Sequence, residues 1–62
     1  MDQQQQYRQG ERVEYLNRHQ ETCQGTVQGV MGTGQQSTYA IKNEYNHETE
    51  QVSHNRVRGH VS

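Results

Sequence analysis

From Gly10 onward the chain alternates. In Glu11-Arg12-Val13-Glu14-Tyr15-Leu16, Val13 and Tyr15 fall on one face with charges between them, the period of two that a half-buried strand requires. Asn17 to Glu21 is polar and suits a loop. Thr22-Cys23-Gln24-Gly25-Thr26-Val27-Gln28-Gly29-Val30-Met31 again favours strand, with two glycines inside it. A strand glycine admits a bulge or a sharp bend, which lets a short sheet coil toward closure. In unbroken register Cys23, Val27 and Met31 face the same way, and Val30 turns inward only if a bulge intervenes.

Gly32 to Gln36 is a turn by composition, since its glycines accept positive φ and nothing apolar needs burial. Ser37-Thr38-Tyr39-Ala40-Ile41-Lys42-Asn43 gives the clearest strand, with Tyr39 and Ile41 on one face and Thr38 and Lys42 on the other. Tyr45-Asn46-His47 supplies a hairpin connection in which Asn46 is the residue best suited to a left-handed conformation. A more polar strand, Glu48 to Ser53, follows. Ser53 then caps one short helical turn through Arg56, which delivers Val57 to Val61 as the last strand. The chain has no proline and no three-turn apolar stripe, so a helical bundle has little support. The expectation is an all-β fold: a small five-stranded antiparallel barrel over residues 10–62, with a short helical turn before the last strand. Residues 1–9 hold five glutamines and only Tyr7 as a sizeable apolar group, and are expected to be a disordered tail.

Gly10-Glu11-Arg12-Val13-Glu14-Tyr15, Gly25-Thr26-Val27 and Tyr39-Ala40-Ile41-Lys42-Asn43, followed by Glu48-Thr49 and a late Val57, together resemble a Tudor-type SH3-like barrel. More narrowly, they are similar to small single-domain proteins, frequent in fungi, of the hypervirulence-associated Tudor-like domain family. The resemblance covers Gly10 to about Val61. It departs at Val52, where such proteins often carry an aromatic residue, and the spacing there is shifted by about one. It implies a non-enzymatic barrel and supplies no catalytic residues.

Composition narrows what such a barrel does. Six Lys and Arg against seven Asp and Glu give a net charge of −1, so the chain lacks the positive field by which nucleic-acid binders gather phosphate. The 62 residues hold one domain with about ten side chains for a core, thin enough that self-association would add useful burial. A homo-oligomer or a protein partner is therefore the expected association. The single Cys23 excludes an internal disulfide, and the first residues do not form a basic-then-apolar leader, from which an intracellular, reducing compartment is expected. No apolar run approaches the length of a membrane span.

Candidate chemistry is limited to surface recognition. Tudor-type barrels that read methylated lysine or arginine surround the cation with aromatic faces; here four tyrosines are present and neither Trp nor Phe. Tyr15 and Tyr39 fall on inward faces and read first as core. Tyr45, next to a loop, is the better exposed ring, to be joined by Tyr7 or Tyr15, with Glu44 and Glu48 as the carboxylates a cation favours. Arg56, Arg58 and His60, with Arg12 and Lys42, form a second candidate, a short basic strip for single-stranded nucleic acid. The ligand-binding candidates are thus Tyr15, Tyr45, Glu48, Arg56 and Arg58, and protein contact outweighs nucleic acid because five glutamates dilute the strip. His47, Glu48, Glu50, His54 and His60 have no zinc spacing, so no metal or other cofactor is expected. No phosphate loop or nucleophile elbow occurs, and Cys23 reads as a small hydrophobe rather than a nucleophile. The expected role is a non-enzymatic interaction or self-assembling module, with Val57 to Val61 as the strand edge open to pairing.

Overall fold

A computed structural model describes residues 6–61. Five strands form one antiparallel sheet: β1 (Arg12–Leu16), β2 (Thr22–Met31), β3 (Thr38–Asn43), β4 (Thr49–Ser53) and β5 (Val57–His60). Their order across the sheet is β4-β3-β2-β1-β5. No ladder joins β4 to β5, so the sheet keeps two edges and the hydrogen-bonded closure expected from the glycine pattern is not formed among the described residues. A 3-10 turn, His54–Arg56, leads directly from β4 into β5, as the sequence predicts. Ser53 precedes that turn without capping it. Its hydroxyl donates instead to Asn55 Oδ1 at 3.0 Å, and it makes no cap hydrogen bond to the turn. A second 3-10 turn, Gly34–Gln36, occupies the stretch read as a simple turn between β2 and β3.

The inward face carries the alternating residues. Val13, Tyr15, Val27, Tyr39, Ile41, Val52 and Val57 are buried as one cluster, with Tyr7, Cys23 and Val30 packed against it. Each pair two apart on a strand, Val13 with Tyr15 and Tyr39 with Ile41, meets the core because successive side chains point to opposite faces. Tyr7 corrects the expectation that its segment is unpacked: its ring meets Tyr39 edge-on at 5.6 Å, and its backbone N–H donates to the Tyr39 hydroxyl at 3.1 Å. The part of the expected tail formed by residues 1–5 lies outside the described residues.

Two bulges curl the sheet. On β2, Val27 pairs with Ile41 and Gly29 with Ala40, which leaves Gln28 as the extra residue. The shift by one turns Val30 toward the core and Met31 out to 59 % exposure, so Met31 does not share the face of Val27. On β5, Tyr15 pairs with Val57 and Glu14 with Gly59, which leaves Arg58 extra; Gly59 adopts φ +145, a region that only glycine enters freely.

Candidate functional site

The hairpin between β3 and β4 is organised by one buried side chain. Asn43 Oδ1 accepts the backbone N–H groups of Tyr45 at 2.7 Å and Asn46 at 3.2 Å, while its Nδ2 donates to the Tyr15 hydroxyl at 3.1 Å. His47, at φ +65, takes the left-handed position anticipated for Asn46, because the His47 N–H must return to the Asn43 carbonyl at 2.8 Å. The Asn46 side chain is used otherwise, accepting the Glu48 N–H at 2.9 Å. Held in this way, Tyr45 projects from the hairpin at 92 % exposure.

Tyr45 stands at the rim of an open groove of about 650 Å³ whose lining includes Glu14, Glu21, Cys23, Gln24 and Glu44. Register explains the convergence. Glu14 is opposite Gln24 in the β1–β2 ladder, and the Glu44 N–H donates to the Gln24 carbonyl at 3.0 Å. The sheet therefore sets Glu14, Gln24 and Glu44 side by side, while Glu21 closes the row from the β1–β2 loop, its carboxylate accepting Asn17 Nδ2 at 3.2 Å. Among the described residues only Glu44 of this row meets an opposing guanidinium, through Arg12 Nη2 at 2.9 and 3.1 Å. The groove is consequently acidic with an aromatic face at its rim.

The five candidates from the sequence do not form one surface. Tyr15 is 0 % exposed and belongs to the core; it supports the groove through Asn43 rather than by lining it. Burial holds its phenol above the usual tyrosine range, with the Asn43 hydrogen bond acting in the opposite sense. Glu48 lines a smaller adjoining polar recess of about 280 Å³ with Asn17, Arg18, Thr49 and Glu50. Arg56 Nη2 donates to the Asn17 carbonyl at 3.0 Å, locking the β1–β2 loop. Arg58 is exposed at the β5 bulge. His60 Nε2 donates to Glu11 Oε1 at 2.8 Å, and Lys42 lies on β3, separated from β5 by β2 and β1. The basic residues are dispersed among carboxylates and carbonyls instead of forming a strip.

Tyr7, expected as a partner ring for Tyr45, joins Tyr39, His54 and His60 in a separate aromatic cluster, with centroid distances of 5.0–5.8 Å. Tyr39 Oη and His54 Nδ1 lie 2.8 Å apart within it. Cys23 is half-buried against the core. Among the described residues no three His, Cys, Asp or Glu side chains stand together as a metal site, and no helix is long and apolar enough to cross a membrane. No family model, no curated protein and no solved structure matches this sequence. Glu14 and Glu21 are not among the ligand candidates the sequence offers, because a strand, a loop and a hairpin deliver the groove's carboxylates and no local spacing announces them.

Proposed function

We propose that this chain is a non-enzymatic protein-binding module, an SH3-like barrel of Tudor type left open between β4 and β5, which takes a basic side chain of a partner peptide in the acidic groove. The strand order and the 3-10 turn entering the last strand support the Tudor-type assignment, as do the sequence elements that resemble the hypervirulence-associated Tudor-like domain family. The observation that carries the functional reading is the meeting of Glu14, Glu21 and Glu44 beneath an almost fully exposed Tyr45. A lysine or arginine entering there gains carboxylate attraction of ~0.2–1 kcal/mol per exposed pair. Stacking on Tyr45 adds ~0.5–1 kcal/mol. Binding is accordingly weak and selective for positive charge, and nucleic acid is repelled by the same carboxylates.

An amide chemical-shift titration with a Lys/Arg-rich peptide tests this. Shifts are expected at Glu14, Glu21, Gln24 and Tyr45, with none from an acidic peptide of equal length. Tyr45→Ala should weaken binding about 2- to 5-fold, and Glu14→Lys by at least about 5-fold. Equal shifts from both peptides, or shifts confined to the Arg58 face, would refute the assignment.

A further inference from the structure

The two edges of the sheet are protected very differently. The β5 edge has an extra residue at Arg58, a glycine at φ +145 and the charged side chain of Arg58, all devices that discourage a foreign strand. The β4 edge has neither a bulge nor a positive-φ residue, and its one charged side chain, Glu50, lies on the same face as the buried Val52. Its five residues, Thr49-Glu50-Gln51-Val52-Ser53, pair with β3 in unbroken register and include no proline, lysine, arginine or glycine.

The main-chain direction on β4 follows from its two ends. Asn43 N–H donates to the Glu48 carbonyl at 2.8 Å, and His54 N–H donates to the Ser37 carbonyl at 2.9 Å. Main-chain groups in an antiparallel ladder face the partner at every second residue, so Glu48, Glu50, Val52 and His54 face β3. The N–H and C=O groups of Thr49, Gln51 and Ser53 therefore point out of the sheet, and their side chains lie on the exposed outer face.

We infer that β4 is a self-pairing edge: two copies of the chain join through antiparallel β4 strands, in a register centred on Gln51, to make one continuous ten-stranded sheet. The choice of a second copy rests on self-complementarity. Centring on Gln51 places Gln51 opposite Gln51, Thr49 opposite Ser53, and Glu50 opposite Val52, so no like charges stand directly opposite and each Gln51 N–H meets the Gln51 C=O of the other copy. The polar pairs hydrogen-bond across the two-fold axis on the outer face. The two Glu50 carboxylates fall on the diagonal, where each already accepts a backbone N–H from Arg18 at 2.9 Å. With only six fully buried apolar residues among the described residues, and Val57 8 % exposed beside them, each copy also gains from the added pairing by mass action. The groove lined by Glu14 and Tyr45 takes no part, so this association is independent of peptide binding.

Sedimentation velocity from micromolar to millimolar protein, with amide hydrogen exchange at both extremes, tests the inference. A dimer is expected at high concentration, together with slowed exchange at the Thr49, Gln51 and Ser53 amides. Gln51→Pro removes a donor that faces away from β3, and Gln51→Lys sets two ammonium groups against each other. Both should keep the wild-type circular dichroism spectrum and weaken dimerisation by at least about tenfold. If Gln51→Pro does not fold, Gln51→Lys carries the test. A monomer at every concentration overturns the inference, as does a dimer unaffected by Gln51→Lys or one whose protected amides lie on β5.

Discussion

Asn43 does at one position what loop residues usually do in combination. It is buried, it fixes the first two hairpin N–H groups, its own backbone closes the hairpin, and it donates to a core hydroxyl. Replacing a hydrogen-bonded buried amide with an isosteric hydrocarbon strands every group that it served. Asn43→Leu should therefore cost ~2–4 kcal/mol, read from urea unfolding, and should abolish groove binding because Tyr45 loses its anchor. Tyr15→Phe removes only one bond to the same amide and should cost ~0.5–1.5 kcal/mol. Equal costs for the two variants would mean that the hairpin bonds contribute nothing. Such a residue was visible in the sequence only as the end of a β-rich strand, since neither alternation nor turn composition marks an amide that faces inward. The left-handed position went to His47 rather than Asn46 for a related reason: Asn43 accepts from residues 45 and 46, which forces the reversal onto the next residue.

At the scale of elements, alternation made the strands legible. Val13 with Tyr15, Tyr39 with Ile41, and the isolated Val52 and Val57 all reach the core from where the period of two puts them. Bulge placement was not legible, because a bulge adds one residue without changing composition, and any of several neighbours can be the extra one. The two β2 glycines were expected to serve alike, and they do not. A Cβ on Gly25 would run into the Lys42 carbonyl oxygen and stand 2.8 Å from Ile41 Cγ2, where β2 is gripped by β1 on one side and β3 on the other. A Cβ on Gly29 meets nothing within 4 Å. Gly25→Ala should thus destabilise by ~1–3 kcal/mol through overpacking. Gly29→Ala should be neutral or stabilise by up to ~1 kcal/mol, through a less flexible unfolded chain. Thermal melts of the two variants that shifted together would contradict the distinction.

Across the whole molecule, the interior of this open sheet is completed by a segment that is not a strand. The Gly10 N–H donates to the Val27 carbonyl at 2.7 Å, Gln6 Nε2 reaches Ser37 Oγ at 2.8 Å, and between them the Tyr7 ring packs against Tyr39, His54 and His60. A lone aromatic residue in a glutamine-rich leader gives no periodicity, which is why its contribution to the core was hidden in the sequence. Its packing has a pH signature. The Tyr7 phenol is raised above its ordinary 10.0, first by burial, then by the charges that Tyr39 and Glu11 bear when ionised. An acid whose folded pKa is raised favours the folded state while it is protonated. Its contribution is complete below pH 10 and is lost as pH climbs through the raised value, because the unfolded chain releases that proton first. Tyr15, raised for the same leading cause, contributes with the same sign and is present in both proteins compared. Tyr7→Phe keeps the ring and deletes only the titrating hydroxyl. Urea unfolding at a series of pH values from 8 to 11 should show wild-type stability falling more steeply than that of Tyr7→Phe above about pH 10, with the two curves parallel below it. Parallel curves over the entire range would mean that the Tyr7 hydroxyl is as well solvated in the folded chain as in the unfolded one.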